Sequence, residues 1–142
     1  MTGLRKSDII FKNKNMSTRS LIAQKKEDGD YTYIYCHFDG YPEYNGAILK
    51  ECYTEQERVT ELLNLGSLRS LRKTIESTKT YNKDYEEEDL YLSRAKDKRK
   101  LLKDFKSSDA QYLYIFDNGS WDNFYKKRYL PDNIMIVKDQ LK

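Results

Sequence analysis

Only one histidine, one tryptophan, two cysteines and two prolines occur among the 142 residues. Each scarcity excludes something. Cys36 and Cys52 stand at no metal-type spacing, so they read as reduced thiols of a cytosolic protein and not as a disulfide framework. One histidine with two distant cysteines is poor material for a metal site, and no metal or cofactor is expected. A Gly-rich phosphate loop and a nucleophile elbow are both missing. No apolar run reaches the length of a membrane span, and no apolar block near the start resembles a secretory signal, so no membrane association is expected.

Charge is plentiful but unevenly placed. The net charge is +3, and residues 1–15 alone carry Arg5, Lys6, Lys12 and Lys14 against Asp8. Residues 16–142 are therefore neutral, which argues against duplex nucleic acid as a partner. The division that follows is a flexible or partner-docking arm over 1–15 and a single domain over 16–142. In the arm, Ile9-Ile10-Phe11 is the one segment suited to docking.

Two strands are expected at 17–26 and 31–37, joined by Glu27-Asp28-Gly29-Asp30, whose glycine supplies a positive φ. The second strand alternates Tyr31, Tyr33, Tyr35 with Thr32, Ile34, Cys36, so both faces want cover. A loop at 38–46 leads to a short helix at 47–53. Thr54 with Glu57 reads as a capping box opening a helix on Val59, Leu62 and Leu63, which Gly66 closes; residues 67–71 follow as a tight turn. Five acids lie within 84–89, and seven bases with two acids within 94–106. They read as a solvated helical hairpin or insertion with facing charges, or, alternatively, as a phosphate grip in the basic half. A second hairpin turns at Asn118-Gly119 between strands at 111–117 and 120–126, and Ile134–Val137 forms a last strand or a strand–helix junction. The fold class is α+β: an antiparallel sheet of two hairpins with helices on one face.

Catalytic groups are few. His37 beside Asp39 offers a general base or merely ties down a loop. Thirteen tyrosines are the unusual feature. Tyr33, Tyr35, Tyr112 and Tyr114 are explained by sheet packing, whereas Tyr41, Tyr44, Tyr81, Tyr85 and Tyr91 lie outside clear strands. A tyrosine face stacks on a purine, and an arginine fork matches a diphosphate. Arg69, Arg72 and Arg128 are the candidate phosphate partners, and Tyr81 and Tyr91 the stacking faces. Asn118 and Asn123 are candidates for ribose or base edges, with Asn118 also suited to its turn. His37, Asp39 and Tyr41 shape the loop or touch ligand.

Met16-Ser17-Thr18-Arg19-Ser20, a glycine hairpin, and Ile34-Tyr35-Cys36-His37-Phe38-Asp39-Gly40-Tyr41-Pro42 together resemble a family of small phage and prophage proteins. The likeness continues through Gly46, Leu62-Leu63 to Leu68, and the strand Tyr112–Phe116, covering most of residues 16–126. Phe38 stands where the family usually has tryptophan. The family includes the first type of Thoeris anti-defence protein, the anti-Thoeris sponges. The resemblance implies a phage protein acting in the cytoplasm of the infected bacterial host. It would bind and sequester a cyclic ADP-ribose isomer, of the glycocyclic ADP-ribose type made by TIR enzymes, without cleaving it. Cyclic oligonucleotides are a further ligand class in the family. The resemblance also implies a homo-oligomer built from dimers. Two other functions fit the residues: an enzyme hydrolysing such a signal with His37 and Asp39, and a protein-binding inhibitor of a host effector using the arm and the 94–106 stretch.

Overall fold

The computed structural model describes residues 18–81, 92–130 and 133–139, with only the backbone of 129 and 130. The N-terminal arm, the acidic run at 84–89, Tyr85 and Tyr91 lie outside the described residues. β1 (Ser20–Lys25) and β2 (Tyr31–Cys36) form the first hairpin, with Ile22 opposite Ile34. Gly29 has φ +94° in its turn. A π-helical turn over Pro42–Gly46 runs directly into α1 (Ala47–Cys52), and α2 (Gln56–Leu63) follows. β3 (Leu68–Ser70), β4 (Lys79–Thr80) and β5 (Ser93–Ala95) are short. α3 (Lys98–Ser107) precedes the second hairpin, β6 (Tyr112–Asp117) and β7 (Ser120–Leu130), and β8 (Asn133–Asp139) ends the described chain.

These strands make one mixed sheet in the order β4-β3-β2-β1-β6-β7-β8, with β5 also pairing β2. The protein is α+β, as its patterning indicates, but the sheet is not simply two antiparallel hairpins. The hairpins join through β1 and β6, which run parallel with Ile22 opposite Tyr114. β3 is likewise parallel to β2. The stretch expected as a tight turn at 67–71 is therefore a strand, because its backbone continues the edge beyond Cys36.

The helices occupy both faces, not one. Ile22, Ile34, Tyr114, Phe116 and Trp121 pack with Leu49 of α1 and Val59, Leu62 and Leu63 of α2. On the opposite face Leu21, Ala23, Tyr31, Leu113 and Ile115 pack with Leu101 and Phe105 of α3. The reason is in the strands themselves: β1, β2 and β6 carry large apolar side chains on both faces, Leu21 and Ile115 on one and Ile22, Ile34 and Phe116 on the other, so one layer of helices leaves half of that area wet. The basic 94–106 stretch thus supplies structure. Asp97 caps α3 by accepting from the Lys100 N–H at 2.8 Å, and Asp104 accepts from Tyr33 Oη at 2.7 Å and from Lys100 Nζ at 2.8 Å. At α2 the N-cap is Glu55, without a side-chain cap bond, instead of Thr54. The helix is tied to the sheet by Gln24, whose Nε2 donates to Gln56 O at 3.1 Å and Thr60 Oγ1 at 2.9 Å.

The loop after β2 is held by three devices. Gly40 lies against the start of β1, where a Cβ would meet Arg19 C and Ser20 Cβ at 2.9 Å. The buried Tyr114 hydroxyl donates to Gly40 O at 2.7 Å. Asn45, fully buried, donates to Phe38 O at 3.1 Å. The string Ile34–Pro42 therefore carries packing constraints throughout, and Cys36 belongs to them: burial pushes its thiol up to about 11, keeping it protonated and unreactive.

Candidate anion-binding site

The site forms where β2 ends. β3 runs beside the departing chain, accepting from the His37 N–H at Leu68 O (2.9 Å) and from the Phe38 N–H at Arg69 O (3.0 Å). That places Arg69 next to His37. From the other side, Arg19 is clamped just before β1: the Gln111 N–H donates to its carbonyl at 2.8 Å, and the Gly40 N–H donates to the adjoining Thr18 O at 2.9 Å. Tyr81 follows β4 and lies close enough to Tyr35 for each phenol to perturb the other. Four chain segments thus bring Arg19, Tyr35, His37, Arg69 and Tyr81 together.

Two guanidiniums, one imidazole and two phenols are the groups that an anion with an aromatic part would need. Tyr35 Oη and His37 Nδ1 are 2.8 Å apart, and the imidazole meets the Phe38 ring edge-on with centroids 4.5 Å apart. Burial pushes the Tyr35 hydroxyl up to about 12, so it remains a phenol. Burial, then the charges of Arg19 and Arg69, hold His37 below its ordinary 6.5, so it remains neutral. Among the described residues Arg19 has one acidic partner, Asp109, at 3.7 Å, and Asp109 is largely exposed. The Nε of Arg19 is buried and makes no hydrogen bond among the described residues. An incoming anion would meet two guanidiniums at a partly desolvated surface.

His37 and Asp39 do not form a dyad. The imidazole turns to Tyr35, while the Asp39 carboxylate accepts from Tyr41 Oη at 3.3 Å and its backbone takes φ +57°. Asp39 and Tyr41 shape the loop. Arg72 is removed from Arg69: it lines a groove of about 590 Å³ on the α1 side with Tyr44, Ile48, Lys73, Glu43 and Glu51. Asn118, with φ +51°, serves the β6–β7 turn. Since β6 runs parallel to β1, that turn sits at the end of the sheet away from Arg19. Asn123 is fully buried opposite Tyr114, with Nδ2 3.4 Å from Asp139 Oδ2 and Oδ1 without a partner among the described residues, so it stands apart from the Arg19 cluster. Arg128 is exposed near the end of β7, on the same end of the sheet as Arg19 but two strands away, roughly 10 Å at ordinary strand spacing. Tyr91 lies outside the described residues.

Of the expected site residues, His37, Arg69 and Tyr81 converge. Arg19 and Tyr35 were missed as site residues. Their signal was the hairpin register, which puts Leu21 opposite Tyr35 and so extends Arg19 toward His37 on the same face. Among the described residues no group of three or more His, Cys, Asp or Glu side chains is placed to hold a metal, and no helix is long and apolar enough to cross a membrane. No protein-family model matches the chain, and no curated protein or solved structure does either.

The neutral state of His37 has a measurable consequence. The unfolded chain takes up a proton near the ordinary value of 6.5, whereas the folded chain resists protonation at His37. Stability is then undiminished above about pH 6.5 and falls as pH drops below it, because the unfolded state binds more protons there. Urea midpoints at about pH 7.5 and 5.5 should differ more in the parent than in His37→Gln; equal differences would remove this titration from the account.

Proposed function

We propose that this chain binds a nucleotide-like anion and holds it without transforming it. The observation that carries this reading is the convergence of Arg19, Arg69 and His37 with Tyr35 and Tyr81 at one end of the sheet. Two arginine forks suit the two phosphates of a diphosphate, and the phenols offer faces for a base and hydroxyls for ribose. The ligand class comes from the sequence resemblance: a cyclic ADP-ribose isomer, sequestered by a phage counter-defence protein in the cytoplasm of its bacterial host. Retention without cleavage is favoured by the separate engagements of His37 and Asp39, which leave no aligned base and orienting carboxylate.

The test is direct. The purified full chain is incubated with a cyclic ADP-ribose isomer, freed of unbound ligand and heated, and the released small molecules are identified by mass spectrometry. The expected result is near-stoichiometric recovery of the intact isomer. A linear or otherwise cleaved product would make the protein an enzyme, and absence of retained ligand would remove this ligand class.

A further inference from the structure

We propose that Asp109 is a resident counter-ion of the anion site: its carboxylate pairs with Arg19 in the free protein and is displaced by the incoming anion. The inference rests on the anion-binding reading above and adds to it a group that limits how tightly the site holds its ligand.

The carboxylate sits where the charges of the site meet. Asp109 Oδ2 lies 3.7 Å from Arg19 Nη1, within ion-pair reach but long for a charged hydrogen bond. Its charge also acts on the Tyr35 hydroxyl and on the Lys126 ammonium. The backbone pairing explains this position. The Gln111 N–H donates to Arg19 O at 2.8 Å, and the Lys126 N–H donates to Gln111 O at 3.2 Å. Asp109, two residues before Gln111, therefore stands at the end of the sheet near both cations.

The backbone around Asp109 is fixed, and its side chain is not. Ser108 Oγ donates to Phe105 O at 2.8 Å and accepts from the Ala110 N–H at 3.1 Å, while Ser108 O accepts from Lys126 Nζ at 2.5 Å. Ala110 is fully buried. The Asp109 side chain is 82% exposed among the described residues, so the carboxylate has room to leave Arg19 without disturbing the core.

A long pair with one exposed partner is screened by water and adds little to the fold. Nor does it satisfy the guanidinium, whose buried Nε has no partner among the described residues. An anion that engages two donors of the arginine fork makes the stronger contact and takes the carboxylate's place. Until then, the negative charge of Asp109 offsets that of Arg19 and repels the same ligand.

Isothermal titration of the full chain with inorganic pyrophosphate tests this role. Asp109→Asn should bind about three- to fivefold more tightly than the parent at low salt, the size of an exposed charge pair. The gain should shrink at about 0.5 M salt, where exposed charges are screened. Asp117→Asn is the control: it removes a carboxylate beside Lys25 at the far end of the sheet and should bind like the parent. Without any anion, phenylglyoxal should modify Arg19 faster in Asp109→Asn than in the parent, read by peptide mass spectrometry, with the urea midpoint unchanged. Equal affinities, or equal rates of Arg19 modification, would overturn the counter-ion role and leave anion binding in place. Weaker binding by Asp109→Asn would overturn it too, making Asp109 a positioning group for Arg19. Pyrophosphate bound by none of the three proteins would remove the anion site and this role together.

Discussion

Replacing Arg19 and Arg69 together by alanine should weaken capture of a cyclic ADP-ribose isomer by about a hundredfold, with the fold intact. Charged hydrogen bonds of this kind contribute about 1.5–3 kcal/mol each, and 1.4 kcal/mol is tenfold in affinity. The two losses are not expected to add fully, because one anion is shared between both side chains. Arg69 is exposed, and Arg19, with its Nε buried, makes among the described residues one long ion pair, to exposed Asp109, so neither guanidinium closes a hydrogen bond within the core. Arg72→Ala is the matched control: it removes the same group three residues away, but from the separate groove beside α1. Isothermal titration of the double variant, of Arg72→Ala and of the parent separates the alternatives. A double variant that binds like the parent, or an Arg72→Ala loss of equal size, would place the ligand elsewhere.

The second large effect concerns the fold around the site. Gly40→Ala should cost about 3 kcal/mol of stability, the upper part of the usual range for overpacking. The added Cβ would sit 2.9 Å from Arg19 C and Ser20 Cβ, neither of which is a flexible side-chain end that can swing aside. Relief requires moving the loop from β1, which stretches the 2.7 Å bond from Tyr114 Oη to Gly40 O and the 2.9 Å bond from the Gly40 N–H to Thr18 O. The same movement displaces Arg19, so anion affinity should fall along with the urea midpoint. A Gly40→Ala protein as stable as the parent would show that β1 and this loop separate at little cost.

These two effects mark how the site depends on long-range packing. Arg69 and Tyr81 were legible as candidates because arginine and tyrosine outside clear strands have few structural duties. Their partners were not. Tyr35 reads as a sheet residue, and it is one; it joins the site because β2 ends there, with its hydroxyl 2.8 Å from His37 Nδ1. Arg72 and Asn123 fit by residue type but do not join this cluster: one lines another groove, and the other is fully buried within the sheet.

By itself the sequence determined the local pieces. Asn118-Gly119 and Gly29 specify the hairpin turns through positive φ, and the alternation from Tyr31 to Cys36 assigns each side chain a face. The short-range helical stripe at Val59, Leu62 and Leu63 does the same for α2. These are contacts between near neighbours in the chain, so turn chemistry and periodicity encode them. Only the tertiary structure decided that the hairpins meet through parallel β1 and β6, that helices cover both faces, and that Arg19, His37, Arg69 and Tyr81 converge. Such contacts join segments tens of residues apart, and their energy lies in shared burial and backbone pairing between them, which no local pattern of residues records.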